Sequence, residues 1–218
     1  MARLIRRLLL AVFLVVVVLP VLLMLLYRVV PPPGTPLMLV RSAPVDYRWV
    51  GMSDIARDAG RAVVASEDQT FCEHNGIDWR QMNKVLEEFR ETGQPSRGAS
   101  TITMQLARNL FLPPSRSILR KMVEIPLALG LELLVPKKRI LELYLNVVEM
   151  GDGIYGVEAA AQRHFGKPAS ALSRGEAARI AAILPNPLDR DPARMGSRAG
   201  EIARDIPRLT QLYGCFEG

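Results

Sequence analysis

Cysteine and histidine are scarce in this chain of 218 residues: Cys72, Cys215, His74 and His164 are all it has. Two cysteines build no disulfide framework and match no metal-ligand spacing. Two histidines are too few for a His-rich metal site. Cys72 and Cys215 could join in an oxidising compartment, but the expectation from sequence is that they stay apart. Acidic residues are missing from the first 30 positions, where Arg3, Arg6, Arg7 and Arg28 stand unopposed. The rest of the chain sets 24 of the 28 basic residues against all 22 acidic ones. That balance excludes a general polyanion binder, so nucleic acid is not an expected partner and any anion site has to be local. An internal repeat, a long low-complexity segment and a convincing sheet pattern are also absent.

What is present begins with Leu8 to Leu26, an unbroken apolar run of about 19 residues, long enough to span a bilayer as a helix. Pro20 inside it is tolerable in a membrane helix. The arginines that precede the run keep the N-terminus cytoplasmic and export the remainder of the chain. A cleaved signal peptide is the rival reading, but the run is long for one and Tyr27-Arg28-Val29-Val30 offers no small-residue cleavage site. The chain is therefore divided into a cytoplasmic basic tail (1–7), a transmembrane anchor (8–27), a linker or tether (28–53) and one globular domain (54–218). The length after the linker leaves room for a real core. Pro31-Pro32-Pro33-Gly34-Thr35-Pro36 reads as a short stiff linker, and residues 37–50 as a short strand or an extended tether.

The body reads as helical. Arg61 to Ala65 is a good helix-forming run. If that helix continues, Glu67, Phe71 and His74 share a face, and Gly76 ends it in the left-handed conformation. Residues 78–91 place Trp79, Met82, Val85, Leu86 and Phe89 at helical spacing, for a helix facing the core or touching lipid. Ser100 is the expected N-cap of a helix through Asn109. The next helix, about Ile118 to Val135, contains Pro126, which should kink it. Residues 137–150 form another helix, and Val157–Phe165 and Arg174–Leu184 are Ala-rich helices suited to close packing.

A carboxylate beside apolar residues and a histidine makes Glu67 a plausible general base, although an amphipathic helix with solvated acids explains the stretch as well. Arg116, Arg120 and Glu124 line one helix face with Lys121 beside them, and Arg108 lies near the end of the preceding helix. Such a group near two helix termini can hold a phosphate or diphosphate. Solvated charges with an Arg120–Glu124 pair are the plainer account. Thr101, Thr103 and Gln105 add neutral hydrogen bonders. Two carboxylates, Glu67 and Glu124, are the usual equipment for glycosidic chemistry. The basic cluster points to an anionic leaving group, hence sugar transfer from a diphosphate.

Five blocks then carry a resemblance. They are Glu67-Asp68-Gln69-Thr70-Phe71-Cys72-Glu73-His74-Asn75-Gly76; Arg97 through Asn109; Arg120-Lys121-Met122-Val123-Glu124-Ile125 with Ile140 through Asn146; Tyr155 through Lys167; and Glu176-Ala177-Ala178 through Leu184-Pro185-Asn186-Pro187. Over roughly Asp54 to Pro187 the chain resembles the peptidoglycan glycosyltransferases of family 51, in their monofunctional, membrane-anchored form. The resemblance implies a mainly α, lysozyme-like helical domain with a small membrane-contacting jaw. It implies lipid II and the growing glycan as substrates, Glu67 as general base and Glu124 as second carboxylate in the donor site. Arg108 and Arg116 match phosphate-contacting positions, Lys84 matches one more weakly, and Ser100 and Gln105 match polar donor-site positions; Thr103 and Arg120 complete the expected substrate-binding set. No tightly bound cofactor is implied. A divalent cation, magnesium or manganese, would accompany the substrate diphosphate, and no dedicated metal ligands are visible. Other cell-wall synthesis or division proteins are allowed as partners.

The second block departs from the family pattern. Ala99 stands in Gly98-Ala99-Ser100 where a second glycine is usual. Met104 precedes Gln105 where a glutamine is usual, and Arg108 replaces a lysine, exchanging a point charge for a planar fork. The competing readings are a membrane-bound lysozyme-like hydrolase, which leaves the arginines idle, and a non-catalytic lipid II-binding scaffold.

Overall fold

The computed structural model describes every residue except 94–97, 99, 116 and 218. Helix α1 (Ala2–Phe13) passes through a wide π turn at Leu14–Val18 into α2 (Leu19–Tyr27). Pro20 explains the turn: it has no N–H to donate and crowds the carbonyl one turn before it. The span Arg3–Tyr27 has a mean hydropathy of 3.4 and is long and apolar enough to cross a membrane. Its outer side chains, Leu8, Phe13 and Leu22 among them, are exposed, an arrangement suited to lipid and costly in water.

The foot of this helix is seated on the body. Met24 and Tyr27 are buried, and Met24 packs where Gly130 leaves room: a β-carbon there would stand 3.2 Å from the Met24 sulfur. Arg139 Nε donates to the Tyr27 carbonyl at 2.8 Å, and Arg28 Nη1 to the Leu134 carbonyl at 3.4 Å. After the proline run, α3 (Pro36–Val40) starts on Pro36 with Thr35 as its cap. Strand β1 (Asp46–Tyr47) comes next.

The helical body starts at α4 (Arg57–Glu67), then α5 (Trp79–Thr92), α6 (Ile102–Phe111), α7 (Ile118–Leu134) and α8 (Lys137–Val147). Helix α7 runs through Pro126. Strands β2 (Glu149–Gly151) and β3 (Ile154–Tyr155) pair antiparallel, and β1 joins β3 in parallel, giving the order β1-β3-β2. This sheet escapes sequence reading because strands of two or three residues carry no measurable alternation. Then come α9 (Gly156–Phe165), α10 (Arg174–Ile183), α11 (Gly196–Arg208) and the short α12 (Gly214–Glu217). The fold is mainly helical, as expected.

The core lies where α4, α6, α8 and α10 meet. Ala59, Ala62 and Ala65 on α4 face Ala177, Ala178, Ala181 and Ala182 on α10, all buried, and small side chains let these two helices approach closely. Helix α8 buries Ile140, Leu141 and Leu143 to Val147 in its centre. Helix α5 behaves differently. Asp78 caps it and Gly93 ends it in the left-handed conformation, but no residue on it is fully buried. Trp79, Leu86 and Phe89 are exposed, while Met82 packs partly against the core, so this helix faces the core over only part of its apolar side.

The two cysteines do pair. Cys72 and Cys215 form a disulfide with 5.6 Å between their α-carbons. The sequence expectation was wrong because 143 positions separate them, and only the return of α12 to the α4–α5 connection brings them together.

Candidate active site

Glu67 is the last residue of α4. The helix does not continue, so Phe71 and His74 do not share its face. Asp68 leaves the helical conformation (φ −161°, ψ 73°) because its carboxylate is drawn to other partners. It accepts from the Ile102 N–H at 3.0 Å and from His74 Nε2 at 2.9 Å. With both carboxylate oxygens as acceptors, Nε2 carries the imidazole proton. The chain then turns tightly. Thr70 donates to Asp78 at 2.7 Å, and Thr101 donates to the Gly76 carbonyl at 2.6 Å. Gly76 is left-handed (φ +86°), as expected, but it closes this turn and not the helix. Phe71 is wholly buried, with Lys137 Nζ 4.3 Å above its ring.

Glu67 opens into a cleft of about 790 Å³ whose lining includes Ser100, Gln105, Arg108, Arg190 and Arg198. Its carboxylate is wired from behind. The phenol of Tyr144, itself fully buried, donates to Gln105 Oε1 at 2.8 Å, which turns the Gln105 amide so that Nε2 donates to Glu67 Oε2 at 3.2 Å. Ser66 Oγ reaches Glu67 Oε1 at 3.1 Å and accepts from Arg198 Nη2 at 3.3 Å. Burial pushes the Glu67 carboxyl up from its ordinary range; the Gln105 and Ser66 hydrogen bonds and the charges of Arg198 and Arg190 pull the other way without cancelling it. Burial, with the nearby Glu67 charge adding to it, raises the Tyr144 phenol well above its usual value, so it stays protonated and remains a donor. A carboxylate poised in this way takes a proton from a hydroxyl more readily than a solvated one.

The expected substrate-binding residues divide. Ser100, Gln105 and Arg108 line the cleft with Glu67. Ser100 is not the cap of α6; Thr101 is, accepting from the Met104 N–H at 3.1 Å. Thr103 is turned away and buried, its hydroxyl donating to Glu132 at 2.6 Å. Glu132 in turn pairs with Lys137 at 2.7 Å, so Thr103 supports the wall behind the turn. Lys84 is exposed on α5, one turn beyond Gln81, which does line the cleft. Glu124 is not part of the cleft lining; it is 4 % exposed and faces Arg120 Nη1 at 3.2 Å. That is the ion pair its i, i+4 spacing allowed. Arg116 lies outside the described residues.

Sequence reading missed Arg190 and Arg198. They stand beyond the last sequence block, and no local spacing links them to Glu67. Arg190 is aimed by a bond from Nη1 to the Ala182 carbonyl at 2.9 Å. Among the described residues no ion pair engages Arg108, Arg190 or Arg198, so three guanidinium groups without carboxylate partners border the cleft. No cluster of three or more potential metal-ligating side chains occurs among the described residues. Asp68 and Asp78, the other carboxylates of the cleft, are already committed to main-chain N–H groups.

The chain is 49 % identical over 196 residues to a biosynthetic peptidoglycan transglycosylase of Rhodospirillum centenum, covering 85 % of this chain and 84 % of that one. It is 49 % identical over 184 residues to one of Marinomonas sp. (84 % and 81 % covered), and 51 % identical over 162 residues to one of Shewanella frigidimarina (74 % and 71 % covered). The family model described as Transglycosylase matches residues 35–208, a stretch that holds the whole cleft from Ser66 to Arg198, and the chain belongs to the transglycosylase family.

Proposed function

We propose that this protein polymerises the glycan of peptidoglycan, transferring the growing chain from undecaprenyl diphosphate to the 4-hydroxyl of lipid II with inversion at the sugar carbon. The observation that carries this reading is a carboxyl, Glu67, opening into a cleft bordered by guanidinium groups that, among the described residues, no ion pair engages; its burial, which pushes its pKa up, suits it to the role of base. Glu67 accepts the proton of the acceptor hydroxyl. The freed oxygen attacks C1 of the donor sugar from the face opposite the diphosphate. The C1–oxygen bond breaks, and its electron pair leaves on the diphosphate. Arg108 stands ready for that growing negative charge, with Arg116 as its expected partner from outside the described residues. Fixed guanidinium groups stabilise such charge more than water does, because they need no reorganisation. Glu124 is the expected second carboxylate of the donor site, although it lies buried against Arg120 outside the cleft lining. A divalent cation would arrive on the substrate diphosphate and neutralise part of its charge. A hydrolase would leave Arg108 without a task.

The membrane setting supports the same reading. The substrate's polyprenyl tail stays in the bilayer, so the cleft has to sit near it. Trp79, Leu86 and Phe89 on α5, and Met122, Leu129 and Leu133 on α7, are exposed apolar side chains and form the lipid-facing surface. Met82, Phe111 and Leu112 pack partly against the core and contribute less to that surface. Arg3, Arg6 and Arg7 hold the N-terminus on the cytoplasmic side. The Cys72–Cys215 bond fits an oxidising exterior and so supports a catalytic domain at the outer face of the cytoplasmic membrane. Incubating the purified full-length protein with lipid II tests the proposal. Lengthening glycan is the expected product; shortening of preformed glycan would favour a hydrolase, and bound but unturned lipid II a scaffold.

A further inference from the structure

The turn after Glu67 is held from two sides. On one side α6 grips it, through Asp68 with Ile102 and through Gly76 with Thr101. Neither bond touches its middle, residues 70–74. The middle has bonds of its own, from Thr70 to Asp78 and from His74 to Asp68, and Lys137 over the Phe71 ring; on the other side it is held by the end of the chain. Cys215 is bonded to Cys72. Phe216 is buried and its ring lies 6.2 Å from that of Phe71. Glu217 takes a two-pronged ion pair from Arg61 on α4. Arg61 precedes Glu67 and Cys72 comes after it, so the tail grips the chain on both sides of the base. Residues 209–217 lie beyond the stretch the family model matches.

We infer that Cys72 and Cys215 are positioning residues for the reaction: their bond, with the tail it docks, keeps the Glu67 carboxylate where Gln105 and Ser66 reach it. This rests on the reading of Glu67 as the base. Glu67 ends its helix, so no further helical turn restrains it. What fixes its depth is the turn behind it, and Phe71 is the buried foot of that turn. If the tail is released, Phe71 loses its cover and the turn loosens. Water then reaches Glu67, and its contact with Gln105 lengthens. A displacement of this kind weakens catalysis through geometry while the sugar and diphosphate contacts elsewhere in the cleft survive.

The test uses the full-length protein with lipid II, before and after dithiothreitol, beside the double variant Cys72→Ala/Cys215→Ala. The reagent's two thiols are oxidised to a ring disulfide as Cys72 and Cys215 become thiols. The expected result is a roughly ten-fold fall in kcat with KM changed by less than about two-fold. The rise of rate with pH should also move to lower pH, because a wetter Glu67 loses the burial that raises its pKa. A merely stabilising crosslink would lower the melting temperature and leave kcat and the pH profile alone below it. That result overturns the inference, as does the finding of two free thiols in the unreduced protein. Phe216→Leu keeps the crosslink and covers the case in which the double variant fails to fold; it should shift the pH profile the same way by less, and an unshifted profile counts against the proposal. Glu67→Gln is assayed in parallel. If it polymerises normally, the reading of the base fails; if it is dead while the reduced enzyme is fully active, only the positioning role fails.

Discussion

Glu67 shows how one carboxylate is prepared by its neighbours. Burial raises its pKa while Gln105, Ser66, Arg198 and Arg190 restrain the rise. On the proposed reading of Glu67 as the base, Glu67→Gln removes the proton acceptor, so turnover with lipid II should collapse by roughly 100-fold or more while donor binding survives. The same substitution should stabilise the fold at neutral pH. A carboxyl whose folded pKa is raised stabilises the folded state below its unfolded pKa, and that contribution is lost as pH rises through the folded value. At neutral pH the ionised Glu67 is therefore a burden that glutamine does not carry. Thermal melting of both proteins at acid and neutral pH checks this, and the advantage of the variant should vanish in acid. The rate itself should climb as pH rises through the raised Glu67 pKa. Gln105→Leu removes a hydrogen bond that favours the charged form, so that climb should move to still higher pH.

Among the elements, the α4–α5 turn is tightly packed against α7. A β-carbon on Gly76 would stand 2.8 Å from Glu132 Cγ and 3.0 Å from the Ala128 carbonyl, both on α7, with φ already at +86°. Gly76→Ala therefore meets conformational strain and a rigid backbone together. It should lose about 1–3 kcal/mol of stability in denaturant titration. Helices α5 and α7 carry exposed apolar side chains, which the proposed function sets against lipid. A chain shortened to begin at Pro36 should still bind vesicles, and Trp79→Ala with Phe89→Ala should weaken that binding in sedimentation. A shortened chain that stays soluble without detergent and ignores vesicles would remove the case for these helices as membrane contacts.

For the whole molecule, both ends of the chain are joined to the helical body. The apolar N-terminal helix is seated on α7 through Met24 and Gly130 and is tied to α8 through Arg139. The disulfide closes a loop of 143 positions, and such a link restricts the unfolded chain more than the folded one. Reduction should cost on the order of 5 kcal/mol of unfolding free energy, read as a lower denaturation midpoint after dithiothreitol.

Sequence alone determined the apolar span, the helical body, Glu67 as the candidate base, and Ser100, Gln105 and Arg108 beside it. Each is visible locally. A membrane span is a matter of consecutive residues, helices of ten or more residues repeat their apolar face, and the motif blocks are contiguous. Only the tertiary structure decided the rest. Helix α4 ends at Glu67 because the Asp68 carboxylate is claimed by Ile102 and His74, and Ile102 is 34 positions away. Thr103 turns to Glu132, and Glu124 is joined to Arg120 away from the cleft lining. Arg190 and Arg198 enter the site, and Cys72 meets Cys215, by the return of distant segments to one place. Local periodicity shows which face of a helix is buried. It carries no information about which distant side chain will be waiting there, because that depends on how the helices pack.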